Sequence, residues 1–304
     1  MSERLTLIRL LGVSLLWGCN YAISAYLLRD FSPIFLSFVR ICMTSLFLIT
    51  VALVNGGLRK PSKKEWGLLA GAGIFGTLLN QTFYFTGLHH STAGNAALIL
   101  ALAPICTTIL ARIFLKERFN VFKVTGAIVG LAGVIIIVLF GGNSELGLSI
   151  GDLYLMGAML TLSTSLLFIR RLTETLSSYA VTIFSTVFGS ALMIIPFSGE
   201  VATGGTMISH SIWLWVLLAT AGILNQGLAG FWWNQGVSVI GASRAAMFMN
   251  VQPFIALIAG HFLLGDPIYA SQILGGVLIL GGVAVANKKP TSKPGAGTPA
   301  PATA

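Results

Sequence analysis

Charge is what this sequence has least of. Only 9% of its 304 residues are Asp, Glu, Lys or Arg, against about 25% in an ordinary globular domain. Nine acidic and eighteen basic side chains cannot clothe a soluble fold of this size, which excludes a soluble enzyme or binding module. Cysteine is nearly as rare. Cys19, Cys42 and Cys106 all fall inside apolar runs, where a thiol is a small core residue rather than part of a disulfide framework. The four histidines are scattered, and no metal cluster, nucleotide-binding loop or nucleophile–base pair occurs. No catalytic residue, no metal and no cofactor is expected, and the chain reads as a non-enzyme.

What is there is apolar length. Hydrophobic residues make up 55% of the chain and gather in runs of roughly 20, enough to cross the hydrocarbon core as a helix. Ten spans are expected, at about 7–28, 33–54, 66–87, 92–115, 121–140, 150–169, 178–197, 212–235, 241–264 and 268–287. Runs such as VTGAIVGLAGVIIIVLF do not alternate as barrel strands must. Arg4 and Arg9 precede the first run as in a signal peptide, but WGCNYAISAYLLRD offers no small-residue cleavage site, so the run is read as a retained span. The tail from Lys288 is rich in Pro, Ala and Thr and has nothing to bury, so residues 288–304 are expected to be a disordered cytoplasmic tail.

The basic residues set the orientation. With ten spans, Arg4, Arg9, Arg59, Lys60, Lys63, Lys64, Lys116, Arg118, Lys123, Arg170, Arg171, Arg244, Lys288, Lys289 and Lys293 share one face. The other face carries Arg29 among the acidic Asp30, Glu145, Asp152, Glu200 and Asp266. Both termini are therefore expected in the cytoplasm, in a multi-pass protein of the cell (inner) membrane. The net charge of +9 is an orientation signal and calls for no nucleic acid.

The chain also repeats itself. Gly87–Val134 aligns without a gap on Gly236–Val283, with eleven identities in 48 positions, among them Pro104/Pro253, Gly126/Gly275 and Gly133/Gly282. The unit is five spans, an odd number, so the second copy enters the membrane upside down. The charges agree: KER at 116–118 becomes GDP at 265–267. This is an inverted-topology repeat, as in many secondary transporters. Residues 1–145 and 146–287 are taken as the two five-helix units of an all-α membrane protein.

Over residues 7–287 the pattern resembles the drug/metabolite transporter superfamily, and within it the EamA-type ten-helix members. The likeness rests on WGCNYA in span one, the Pro33 to Arg40 spacing, the small-residue-to-proline spans four and nine, LKERF after span four, and Gly151–Asp152. The resemblance implies a 5+5 inverted bundle that exports or exchanges small metabolites such as amino acids by alternating access. Two other functions stay open: an integral membrane enzyme acting on lipid-like substrates, and an exporter of organic cations or drugs. No acidic residue sits in mid-span, which argues against proton/cation antiport centred on a buried carboxylate. The expected partners are a small-molecule substrate and membrane lipid, for a monomer or homodimer.

Candidate site residues follow from polar groups at depth, which turn to the bundle interior because lipid cannot satisfy them. Helical spacing gathers Trp17, Asn20, Tyr21 and Ser24 in span one. It gathers Gly76, Asn80, Tyr84 and Gly87 in span three, Asn225, Ala229, Trp233 and Gly236 in span eight, and Met247 with Asn250 in span nine. Of these, Trp17, Asn20, Asn80, Tyr84, Asn225, Trp233, Met247 and Asn250 are expected to bind substrate. An interhelical hydrogen bond worth about 0.6 kcal/mol is the competing role for any single asparagine. Pro104 and Pro253 each remove a backbone donor and are expected as paired hinges, with a simple packing kink as the alternative. Arg40, about 10 Å deep in span two at 1.5 Å per residue, either meets substrate or else snorkels to the outer surface or pairs with helix-end carbonyls; we take the latter. Asp152 is expected to cap span six, and the glycines of spans five and ten to let those helices pack together.

Overall fold

The computed structural model describes residues 3–54, 58–115, 121–140, 149–240 and 248–286. Every regular element among them is helical. Span one is α1 (Glu3–Leu27) and span two α2 (Pro33–Val54). Span three joins α3 (Lys63–Gly73) to α4 (Asn80–His89) through a π turn, Ile74–Leu79. Span four is broken into α5 (Ala93–Leu100) and α6 (Ala103–Leu115). Spans five and six are α7 (Val121–Phe140) and α8 (Ile150–Leu172), and span seven is α9 (Ser178–Leu192) followed by α10 (Ile194–Ala202). Span eight runs through α11 (Ile212–Ile223), a second π turn, Leu224–Leu228, and α12 (Ala229–Ile240). Span nine is described from residue 248 and contains α13 (Gln252–Leu264); span ten is α14 (Ala270–Ala286). Five helical stretches are long and apolar enough to cross a membrane alone, and shorter apolar helices complete the set.

Local chemistry sets the ends. Ser62 and Glu65 form a reciprocal capping box at the start of span three, satisfying two backbone donors the first turn cannot. Thr92 and Ser177 accept from the backbone N–H of Asn95 and Ala180. Span nine ends on Gly265, whose φ of 77° suits a residue without Cβ.

The surface is inverted relative to a soluble protein. Ile212 and Phe262 are 82% and 79% exposed, while Asn80, Asn95, Asp152, Asn225 and Gln272 are buried. Only lipid makes that distribution favourable, because apolar side chains lose nothing there and polar ones need protein partners. This is a multi-pass membrane protein.

Packing follows the repeat. Span five lies against span ten, span four against span nine, and span two against span seven, each pairing equivalent helices of the two units. Span three packs on span six as span eight packs on span one. The glycines of spans five and ten face each other: a Cβ on Gly282 would lie 2.6 Å from the Gly126 carbonyl, and one on Gly275 2.7 Å from that of Gly133. These small residues thus serve close packing within one chain.

Candidate functional site

The two π turns stand at equivalent places in the repeats, immediately before Asn80 and across Asn225. A π turn widens the helix and shifts its hydrogen bonds, a feature that clusters at functional sites. The breaks in spans four and nine are matched as well. Residues 101–102 and 250–251 are turns, and Pro104 and Pro253 sit in the first turn of the helix that follows, where a missing N–H costs little. Serines from the other repeat hold carbonyls beside these breaks. Ser14 Oγ donates to Phe248 O at 2.6 Å, and Ser163 Oγ donates to Ala103 O at 3.1 Å. Ser14 and Ser163 are themselves repeat equivalents.

Four of the expected site residues come together between spans one and eight. The Trp17 and Trp233 rings lie 5.5 Å apart, and Trp17 Nε1 donates to the Asn225 carbonyl at 3.2 Å. Asn225 Nδ2 donates to Asn20 Oδ1 at 3.2 Å and to Ala221 O at 2.7 Å. Its Oδ1 is buried with no hydrogen-bond partner among the described residues. Asn20 Oδ1 also accepts from Arg40 Nη2 at 3.0 Å, while Arg40 Nη1 donates to Ser24 Oγ at 2.8 Å. The guanidinium lies over the Phe85 ring, 5.7 Å from its centre. Tyr84 packs edge-on to Tyr21 and Phe85 with its hydroxyl beside Ser24 and Arg40.

The other expected residues are elsewhere. Asn80 Nδ2 donates to Ala158 O of span six at 2.8 Å. Its stripe continues in the same direction, since a Cβ on Gly76 would meet Ser165 and one on Gly87 would meet Leu155. Asn80 therefore turns toward span six and away from the tryptophans. Asn250 lies in the break of span nine. Met247 lies outside the described residues, as does the tail from Lys288.

Two expectations need correction. Arg40 does not run to helix-end carbonyls; it points across the bundle to span one, because Asn20 and Ser24 offer acceptors at its depth. At the N-terminus of α2, Glu200 accepts from Ser32 Oγ and from the backbone N–H of Ile34 and Phe35, a role the spacing of charges alone did not disclose. Nor does Asp152 cap span six. The N-cap position belongs to Ser149, and Asp152 accepts from Ser91 Oγ and Asn95 Nδ2, with Asn95 Oδ1 in turn taking Gln272 Nε2 at 2.7 Å. The carboxylate ties spans four, six and ten together.

A polytopic bundle of two repeats, with a polar and aromatic cluster where one repeat meets the other, is the architecture of a membrane carrier. The chain belongs to the EamA-like transporter family, whose pattern it matches twice, over residues 4–139 and 149–288. It is similar to the uncharacterized transporter YyaM of Bacillus subtilis, 28% identical over 287 residues and 92% of each chain. It is also similar to a protein of Streptantibioticus cattleyicolor named as a probable terminal-alkyne amino-acid exporter, 24% identical and covering 79% of this chain and 80% of that one. A solved crystal structure shares the fold with a TM-score of 0.60 at 19% identity, over 94% of this chain and 97% of the other. The protein is thus a transporter of the drug/metabolite type, embedded in membrane and acting on small molecules.

Proposed function

We propose that this transporter exports amino acids or closely related metabolites across the cell's inner membrane by alternating access. Residues 1–145 and 146–287 act as the two inverted units, Pro104 and Pro253 mark the paired hinges, and both termini stay in the cytoplasm. The observation that carries the reading is the cluster of Trp17, Asn20, Arg40, Asn225 and Trp233 between span one of the first unit and span eight of the second. A site at the interface of two units is exposed to alternate sides when the units rock. The cluster is amphipathic: two indoles packed on each other, centroids 5.5 Å apart, form a wall for an apolar or aromatic side chain, and amides beside a guanidinium suit its polar end. An organic cation is a poor match, since a buried guanidinium repels it. The amino-acid exporter among the relatives points the same way.

Purified protein in liposomes loaded with pooled labelled amino acids and metabolites tests this, with efflux followed with and without an imposed pH gradient. Efflux of one or a few amino acids is expected, and its response to the gradient reports the coupling. Folded, inserted protein that moves no amino acid while moving organic cations overturns the reading.

A further inference from the structure

We propose that Arg40 is the seat of the substrate's carboxylate and the Asn225 side-chain oxygen the seat of its ammonium, so that the site selects small α-amino acids by their zwitterionic end. The inference rests on the amino-acid reading above and adds to it which groups are recognised and by which atoms.

The first support is an uncompensated charge. Among the described residues the sole salt bridge is Arg59–Glu65, at the start of span three. Arg40 instead donates to two neutral oxygens, Asn20 Oδ1 and Ser24 Oγ, and lies over a phenyl ring. A guanidinium inside a membrane protein is costly unless it is paired, and such residues mark substrate pathways. A carboxylate would take the same two N–H groups in a bidentate fork, exchanging neutral acceptors for charged ones, and charge-assisted bonds are about twice as strong. Arginine's planar fork suits a carboxylate in a way that lysine's point charge does not.

The second support is independent of the charge. Asn225 spends both amide hydrogens, on Asn20 Oδ1 and Ala221 O, and leaves Oδ1 buried and unmatched. A buried acceptor without a donor costs free energy, and the donor it lacks is what an ammonium supplies. The orphan oxygen cannot be relieved by turning the amide, because Nδ2 already meets two acceptors. Asn20 Oδ1 accepts from both Arg40 Nη2 at 3.0 Å and Asn225 Nδ2 at 3.2 Å, so the guanidinium and the amide that carries the orphan oxygen flank one atom. An α-amino acid, whose two charged groups share one carbon, suits such a pair of neighbours. Trp17 and Trp233, packed on each other, then offer the side chain one apolar wall. Neither Arg40 nor Asn20 is repeated in the second unit, where Gly189 and Ile169 occupy the equivalent positions. The cluster therefore belongs to chemistry and not to the repeated packing.

The test uses full-length protein in liposomes and three arms of labelled probe: the twenty L-amino acids, the amines left when their carboxyl groups are removed, and the acids left when their amino groups are removed. Wild type is expected to move at least one amino acid, with the matching amine inhibiting about tenfold or more weakly. Arg40→Gln should abolish that preference, and Arg40→Lys should recover it only in part. Asn225→Asp places a carboxylate beside Arg40, and it should weaken amino-acid transport while improving the amine. Tryptophan fluorescence of detergent-purified variants, through Trp17 and Trp233, reads binding separately from insertion. If wild type moves an amino acid but the amine competes equally well, the anion seat is wrong while the exporter reading stands; this comparison needs no variant to fold. If amines or organic cations move and no amino acid does, both fall.

Discussion

The two repeats build the same seam twice and use it differently. In the first unit, Gly76, Asn80 and Gly87 of span three close against span six, with one amide bond to Ala158 O. In the second, Asn225, Trp233 and Gly236 of span eight meet span one, where Gly236 faces Leu10 while Asn225 and Trp233 meet Asn20 and Trp17. Each seam is preceded or crossed by a π turn. Yet one seam is closed by small residues and the other holds tryptophans, a guanidinium and an unmatched oxygen. On the proposed reading, features common to both units serve the mechanics of alternating access, and those present once serve recognition. A carrier needs both, because symmetric halves can exchange conformations at low cost while a substrate is not symmetric.

The strongest way to break this comparison is to act on what both units share. Gly282→Leu drives a side chain into backbone that a Cβ alone would approach within 2.7 Å at Gly130 N. Overpacking of this type costs about 1–3 kcal/mol or more, and here backbone must move on both sides. Loss of a monodisperse peak in fluorescence-detected gel filtration is expected. Gly281→Ala, at a position with nothing near its would-be Cβ, should be neutral. A well-behaved Gly282→Leu protein would mean that spans five and ten do not hold the units together.

Next in size is the pair that separates the seams. Asn225→Ala removes the partner of Asn20 and should weaken amino-acid binding by about tenfold, the scale of a lost hydrogen bond to a charged group. Asn80→Ala strands the Ala158 carbonyl less severely and should act on melting temperature more than on affinity. Ligand-quenched tryptophan fluorescence and thermal unfolding, measured on both variants, would reverse the assignment if the two profiles were exchanged.

Much of this was legible in the residues, for reasons that are physical. Apolar length alone counts spans, odd spacing of the repeat implies inversion, and paired glycines and prolines survive inversion because packing does not depend on which side is cytoplasmic. Of the expected stripe of Gly76, Asn80, Tyr84 and Gly87, three share a face toward span six, while Tyr84 turns to Tyr21 and Arg40. What spacing did not carry was which neighbour the face would meet, since that depends on tertiary packing. The π turns left no signature, because one extra residue in a turn needs no particular side chain. The direction of Arg40 was hidden for a related reason: its long stem reaches either the outer surface or the bundle centre, and only the positions of Asn20 and Ser24 decide.

A smaller effect tests the shared mechanics directly. Ser14→Ala and Ser163→Ala each remove one hydrogen bond beside a helix break. Such bonds in membrane proteins average about 0.6 kcal/mol, so each variant should lose a degree or two of melting temperature and the double variant about the sum, since the two serines share no hydrogen-bond partner. Transport should slow by similar factors in the two single variants if the breaks move together. A large effect from one serine and none from the other would show that the breaks are equivalent in shape but not in function.

The smallest expected effect lies at the start of span three, where the first unit has Glu65 and the second has Leu214 at the equivalent place. The Glu65 carboxylate accepts from the Ser62 backbone N–H at 2.7 Å and from Thr175 Oγ1 at 2.8 Å, joining span three to the turn after span six. Those bonds, with the Ser62 hydroxyl and the nearby Arg59, hold its carboxyl down to about 2, from an ordinary 4.5. A depressed carboxyl stabilises the fold above its ordinary value and loses that contribution as pH falls toward 2. Melting temperature of wild type should therefore drop between pH 4.5 and 2 by more than that of Glu65→Gln, which lacks the titrating group and starts lower at pH 7. Since the group lies at the solvent edge, the difference should be a few degrees at most. Parallel curves for the two proteins across that window would mean that Glu65 is not held by this network.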